Sequence, residues 1–165
     1  GTDGAASNNT LNMFETMKFC ALLHKHTRWD PTLLPAQMTL DRATREGARA
    51  LGMDGTIGSI EVGKSADMIL VDTRAPNMMP IHGKETIISD LVYSANGANV
   101  DTTIVNGQVL MEKRRFTTLD PGTIADNVNR ATQDLLAVYG IPIVIAIVVI
   151  VAVLLLVLRT RKKKT

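Results

Sequence analysis

A long apolar run near the C-terminal end of the sequence indicates a lipid environment for this part of the chain. Residues 141–158 are eighteen consecutive residues without a charged or polar side chain. As a helix this run would be about 27 Å long, close to the hydrocarbon thickness of a bilayer. A β-strand seldom exceeds about ten residues, and a helix in a soluble core normally keeps a polar face. The sequence therefore predicts a transmembrane helix, with Pro142 in the first turn, where its missing N–H needs no partner.

A basic tail follows the apolar run at once. Five of the eighteen Lys and Arg residues lie within residues 159–165. The flank before the run carries Asp126, Arg130 and Asp134 instead. Because basic flanks stay on the cytoplasmic side, we expect a single-pass membrane protein with a cytoplasmic C-terminus. The tail could also bind anionic lipid headgroups.

The first part of the chain shows two helical patterns. Apolar residues recur at three- and four-residue spacing from Leu11 to Leu22, and the pattern breaks at 29–31. The residues that suit the N-cap of this helix are Ser7, Asn8, Asn9 and Thr10. Thr39 can cap a second helix, which we expect to stop at Gly52.

Between Gly52 and Asp120 the pattern changes to short β-like runs. Candidate strands lie around Ile60 and Val62 and at 68–71, 103–105 and 109–111. Asn106 and Gly107 separate the last two runs, and both residues tolerate a positive φ. The sequence therefore predicts a tight type I′ hairpin and no long helix in this region.

A third helical pattern precedes the apolar run. Pro121 suits the start of a helix. Apolar residues then recur along one face, at Ile124, Val128, Ala131, Leu135 and Val138. We expect this amphipathic helix to be interrupted at Gly140.

Several motifs in the first 120 residues occur together in one known family. The chain opens with GTDGAASNN at 1–9, followed by ATREGARALG at 43–52 and IGSIEVGKSADMILVD at 57–72. In this order they resemble the C-terminal portion of the metal-dependent amidohydrolase superfamily, and within it most closely the 5′-methylthioadenosine/S-adenosylhomocysteine deaminases. Several motifs in sequence are more specific than any one of them.

The resemblance implies an α/β fold. Members of the superfamily are (β/α)8 barrels with a small β-sandwich, and a complete barrel takes roughly 200 to 250 residues. We therefore expect a C-terminal fragment of the barrel with part of its β-sandwich, followed by a transmembrane helix. The expected divisions are the last barrel strand and following helices (1–54), the C-terminal part of the sandwich (55–120), the amphipathic helix (121–140), the transmembrane helix (141–158) and the basic tail (159–165).

The resemblance also implies a chemistry. In such deaminases a divalent metal, usually zinc, activates a water that attacks C6 of adenine, and ammonia leaves. Asp3 matches the family aspartate that ligates the metal and takes the proton of this water. Without the resemblance, an Asp among small residues is more often a turn or cap residue. Ser7 and Asn8 are candidate substrate-binding residues, with helix capping as the alternative role.

Three interpretations of the function stay open. The preferred one is the C-terminal part of a deaminase that acts on S-adenosylhomocysteine or methylthioadenosine, inactive alone because its other catalytic groups belong to earlier strands. The alternatives are a membrane-anchored remnant or a subunit of a split amidohydrolase, and an enzyme of the chlorohydrolase or guanine deaminase type. Expected partners are a purine nucleoside, membrane lipid through 141–158, and either a homo-oligomer or the missing barrel segment. The side of the enzyme-like part stays open, because a nucleoside deaminase belongs in the cytosol.

Other chemistries find little support. His24 and His26 point about 200° apart on a helix, so they do not form a metal-binding pair there. The basic run 113–115 has no interleaved aromatic residues, which argues against a nucleic-acid partner. No phosphate-binding loop, nucleophile elbow or Cys-x-x-Cys pair occurs. Cys20 is the single cysteine, and we expect it to be buried without a disulfide.

Overall fold

A computed structural model describes residues 1–162, without the side chains of 141 and 155–162. The chain divides into two compact units, residues 1–118 and the segment from Leu119 onward. The first unit combines four short helices with a four-stranded sheet, and the second contains one long helix. Lys163 and Lys164 of the predicted basic tail lie outside the described residues.

Helix α1 spans Met13–Arg28. Its N-cap is Asn12, whose side-chain oxygen accepts the Phe14 N–H at 3.2 Å, so the prediction of a cap between residues 7 and 10 was wrong. The helix ends where predicted, because Trp29 adopts a left-handed conformation with a φ of 52°. Cys20 is half-buried, not buried as expected.

The second predicted helix is two helices, α2 (Ala36–Ala43) and α3 (Arg45–Ala50). Thr44 separates them with a φ of −119° and a ψ of −94°. Thr39 does not cap α2 but lies buried inside it, where its hydroxyl donates to the Pro35 carbonyl at 3.2 Å. A threonine hydroxyl can bond to a carbonyl one turn back as readily as it can cap a helix, which explains the error.

The sheet consists of β1 (Met68–Val71), β2 (Val100–Val105), β3 (Gln108–Glu112) and β4 (Arg115–Phe116). The strands lie in this order, and each neighbouring pair is antiparallel. Asn106 and Gly107 join β2 to β3 with φ angles of 48° and 76°, which confirms the predicted hairpin turn. The expected strand around Ile60 and Val62 was wrong, because both residues are exposed in irregular structure.

Helix α4 (Ile87–Tyr93) completes the small core of this unit. It packs against α1 and α2 and buries Val92 completely. The residues buried around it are Phe14, Met17, Ala21, Met78 and Ala95. Nearby, the side-chain amides of Asn77 and Asn99 exchange two hydrogen bonds at 2.9 and 3.1 Å, which satisfies the buried amide of Asn99.

Helix α5 spans Pro121–Lys162 without a break. Asp120 supports its start by accepting the Gly122 N–H at 3.0 Å and the Thr123 hydroxyl at 2.5 Å. The expected interruption at Gly140 is therefore absent, and Pro142 lies inside the helix instead of at its first turn. From Pro121 to Leu154 the helix is long and apolar enough to cross a membrane.

Candidate functional site

Asp3 lies just before the turn at residues 5–7. Its φ is 63°, a left-handed conformation that Asp adopts more readily than most residues. The carboxylate is exposed, and its Oδ1 accepts the Gly4 N–H at 2.7 Å. Asp3 thus presents its carboxylate at the surface of the first unit.

The loop that carries Asp3 is held by bonds within residues 2–10. The Gly4 carbonyl accepts the N–H groups of Ser7 and Asn8, at 3.0 and 2.9 Å. The side chain of Asn8 donates from Nδ2 to the Thr2 carbonyl at 2.8 Å and accepts the Thr10 N–H at 3.5 Å. Asn8 is half-buried and closes the loop around Asp3, whereas Ser7 is exposed.

The structure therefore brings Asp3, Ser7 and Asn8 into one loop. The three histidines lie elsewhere in the sequence: His24 and His26 are exposed on α1, and His82 is exposed in the segment before α4. The rings of His26 and Trp29 lie 5.5 Å apart at a tilt of 45°, an aromatic contact at the end of α1.

A catalytic zinc site usually has three protein ligands and one open position. Among residues 1–162, no three His, Cys, Asp or Glu side chains lie close enough together to hold a metal ion. Asp3 has the right chemistry for one such ligand, since it is an exposed carboxylate. The described residues thus fit one position of a metal site but not the site as a whole, and no catalytic step through a metal follows from them.

An open apolar cleft of about 770 Å³ lies between α2, α3 and the β1–β2 pair. Its walls include Ala43, Gly47 and Ala48 on the helices, and Met68 and Ile104 on the strands. The lining is mostly apolar, with Asp67 and Arg42 as its charged side chains.

A cluster of charges ties the end of β1 to the turn between β3 and β4. Asp72 Oδ2 lies 3.3 Å from Arg114 Nη2, and Asp72 Oδ1 lies 3.6 Å from Arg74 Nε. The Arg74 backbone N–H donates to Asp72 at 3.0 Å, and this bond is the main reason that the pKa of the carboxyl lies below its usual value. The two guanidinium groups lower the pKa further, and desolvation opposes them. The cluster was not predicted, and it joins two parts of the sheet.

The first unit, with its helices, its four-stranded sheet and an exposed aspartate in a hydrogen-bonded loop, is of the amidohydrolase class. The model of the amidohydrolase family matches residues 1–110, and the chain belongs to this family.

Individual relatives agree with this assignment. The chain is similar to a 5-methylthioadenosine/S-adenosylhomocysteine deaminase of Desulforudis audaxviator, with 48% identity over 136 residues. It is also similar to a 5′-deoxyadenosine deaminase of Methanobrevibacter smithii, with 46% identity over 135 residues. Each match covers 82% of this chain and 31% of the relative, so the chain spans about a third of the length of these relatives.

Solved structures show the same likeness. An adenosine deaminase from Xanthomonas campestris with bound zinc has a TM-score of 0.77 and 39% identity, covering 81% of this chain and 30% of that one. An atrazine chlorohydrolase from Arthrobacter aurescens, in complex with zinc, has a TM-score of 0.67 and 28% identity, covering 77% and 28%. The family prediction made from the motifs is confirmed.

Proposed function

We propose that this chain forms the C-terminal part of a metal-dependent hydrolytic deaminase that acts on the adenine ring of 5′-substituted adenosines. The observation that carries the proposal is the identity of almost half with relatives named as methylthioadenosine/S-adenosylhomocysteine and 5′-deoxyadenosine deaminases. The chlorohydrolase likeness is weaker, at 28% identity. S-adenosylhomocysteine and methylthioadenosine are accordingly the first substrates to test.

Asp3 is the residue of this chain to which we assign chemistry. Its exposed carboxylate can serve as one ligand of a divalent cation, and it can exchange a proton with a water near the reacting carbon. The hydrogen bonds of the Asp3 loop support this role, because they restrict the backbone on both sides of the carboxylate. The exposed Ser7 hydroxyl is available for a substrate contact. We assign a substrate contact to Asn8 as well, in addition to its hydrogen bonds inside the loop.

The metal is assigned as a divalent cation, with zinc the first choice because two similar structures contain it. The other ligands would come from polypeptide outside residues 1–162. The apolar cleft beside α2 and α3 supports this arrangement, because such a surface suits packing against further protein. We therefore expect residues 1–162 to have no deaminase activity by themselves.

The architecture that we propose has five parts. Residues 1–54 carry the end of the last barrel strand and its helices, although the structure forms no strand before Met68, in a part of the chain that it describes completely. Residues 55–120 supply part of the β-sandwich. Helix α5 follows, with 121–140 as an amphipathic segment and 141–158 as a single-pass membrane anchor. The basic residues from Arg159 onward then lie in the cytoplasm.

To test this proposal, the polypeptide that contains residues 1–165 is isolated from membranes of the source cells. Its intact mass and its metal content are then measured. Ammonia release from S-adenosylhomocysteine is then compared between this protein and its Asp3→Asn variant. We expect a mass far above 17.9 kDa, or a second polypeptide with the remaining barrel, together with bound metal. Asp3→Asn should abolish turnover and weaken metal retention while the protein stays folded.

Asn9→Ala in the same loop is the matched control, because Asn9 is exposed and has no assigned chemistry. It should keep most of the activity. Unchanged ammonia release in Asp3→Asn would refute the role of Asp3. A stable 17.9 kDa protein without metal, partner or activity would favour the non-catalytic alternative.

A further inference from the structure

The first part of α5 carries an apolar stripe that neither the catalytic proposal nor membrane insertion uses. We call it the seam, and its residues are Ile124, Val128, Ala131, Leu135 and Val138. Successive members are four, three, four and three residues apart. On a helix with about 100° per residue, all five lie within an arc of about 80°.

The large side chains of the seam are exposed. Ile124 exposes 45% of its surface, Val128 59%, Leu135 58% and Val138 62%. They belong to a helix that is continuous from Pro121 into the apolar run, so the seam ends where the predicted membrane segment begins. A row of apolar side chains of this length in water favours a partner.

The spacing is compatible with a second helix as the partner. A repeat of 3.5 residues is the period with which two helices supercoil and keep one seam in contact. The charges argue against a lipid surface as the partner, because helices that lie on membranes carry many Lys and Arg on the polar face. Residues 121–140 instead carry Asp126, Asp134 and a single Arg130, so the segment repels anionic headgroups.

We propose that residues 121–140 form a parallel coiled coil with the same segment of a second copy of this chain. A membrane helix that directly follows the seam fixes the two copies in the same direction and raises their local concentration. In a parallel pair, a residue that flanks the seam in one copy lies beside the residue five positions later in the other copy. This brings Asp134 of one copy beside Tyr139 of the other, a carboxylate next to a hydroxyl donor, and pairs Asn127 with Thr132.

The charge pattern is compatible with this pairing. Asp126 lies about 160° around the helix from Val128, and Arg130 also points away from the seam. Asp134 is the one charged residue that flanks the seam within 121–140, and its cross-partner is neutral. The proposal concerns α5 alone and does not depend on the deaminase activity.

Cysteine cross-linking in membranes that contain the full chain is the first test. In a Cys20→Ser background, Val128→Cys places a thiol on the seam, and Asp126→Cys places one on the opposite face as the matched control. After oxidation with copper phenanthroline, Val128→Cys should give a product of twice the mass of the reduced protein, and Asp126→Cys should keep the mass of the reduced protein. Equal cross-linking of both variants, or cross-linking of neither, would overturn the proposal.

A pair of adjacent leucines provides a second test that does not use cysteines. Leu135 lies on the seam and Leu136 lies beside it, with similar exposures of 58% and 61%. Both changes to Gln remove the same apolar side chain from the same turn. Energy transfer between labelled copies measures self-association in lipid vesicles. Leu135→Gln should weaken self-association at least tenfold, and Leu136→Gln should weaken it less than twofold. Equal effects would show that the seam does not direct the pairing, and retained helix content by circular dichroism excludes unfolding as the cause.

Discussion

Asn8 holds the residue that precedes Asp3: its side-chain Nδ2 donates to the Thr2 carbonyl oxygen at 2.8 Å. The same side chain accepts the Thr10 N–H at 3.5 Å, and the Asn8 backbone N–H bonds to the Gly4 carbonyl at 2.9 Å. One half-buried residue therefore joins both ends of the loop that presents the carboxylate. The position of Asp3 depends on this amide as well as on its own backbone conformation.

We predict that Asn8→Ala loosens the Asp3 loop. The change removes the bond to the Thr2 carbonyl, worth about 1 kcal/mol, and the longer bond from the Thr10 N–H, so the backbone amides of the loop should exchange at least about fivefold faster. Hydrogen exchange of an N-terminal peptide, read by mass spectrometry, measures this rate. Asn9→Ala is the matched control, since Asn9 has the same type of side chain one residue later and is exposed. Equal exchange rates in the two variants would contradict a bracing role for Asn8.

A second prediction concerns the contact between α3 and the loop that follows it. Gly58 has a φ of +91°, and a Cβ at this position would lie 2.6 Å from the Cβ of Ala48. Gly58→Ala therefore combines backbone strain with overpacking, and we expect it to lower the free energy of unfolding by about 2 to 4 kcal/mol. Denaturant unfolding of the full chain in detergent micelles measures the loss.

Gly55→Ala provides the control for Gly58→Ala. Gly55 lies three residues earlier, and a Cβ there would meet nothing within 4 Å. It should change the free energy of unfolding by less than about 1 kcal/mol. If the two variants are equally stable, α3 does not pack against Gly58 as described.

The elements that the sequence predicted best depend on neighbouring residues alone. The turn at Asn106 and Gly107 needs two residues that accept a positive φ, and the sequence supplies both side by side. The end of α1 is similarly local, because Trp29 and Pro31 stop the helical pattern. In both places the structure follows from conformational preferences that do not require the rest of the fold.

Elements that depend on distant contacts were missed. Helix α4 has seven residues of mixed apolar and polar type, which are too few for the spacing of the apolar residues to distinguish a helix from a strand. Its burial against α1 and α2 stabilises it. The break at Thr44 and the interior position of Thr39 were missed because threonine suits both a cap and an interior bond to the preceding turn.

The candidate site was predictable only in part. Asp3 was identified through the resemblance of the motif to the family, and no pattern of charge or spacing would have selected it from the sixteen acidic residues. The hydrogen bonds of Asn8 were not predicted, since Asn8 was interpreted as a cap or substrate contact. Loop bonds of this kind follow from the exact path of the backbone, which residue types alone do not specify.

A third prediction concerns acid stability. The pKa of Asp72 is lowered from its usual value of 3.8, first by the Arg74 N–H and then by the guanidinium groups of Arg74 and Arg114. Because the folded-state pKa is the lower one, the ionised carboxylate stabilises the fold above the usual pKa, and this contribution is lost as the pH falls through the folded-state pKa. Asp72→Asn should therefore lose less stability than the wild type when the pH drops.

Denaturant midpoints at about pH 6 and about pH 2.5 test this prediction. The difference between the two midpoints should be smaller in Asp72→Asn than in the wild-type chain. Asp54→Asn, at an exposed carboxylate, controls for the loss of one negative charge. If Asp72→Asn and the wild type lose the same stability, the ion cluster at the end of β1 does not contribute to folding.

The last prediction tests whether α5 crosses a membrane. Ile150 lies near the centre of the apolar run and off the seam, and Ile150→Arg would place a charge at the middle of the bilayer. Such a change costs about 2.5 to 3.5 kcal/mol of insertion free energy, so a larger part of the chain than in the wild type should leave the membrane fraction on alkaline carbonate extraction. Gln133→Arg adds the same charge before the apolar run and should leave the chain in the membrane. An Ile150→Arg chain that resists extraction as well as the wild type would mean that α5 is held by protein contacts, because a charge at the bilayer centre affects only a helix that lies in lipid.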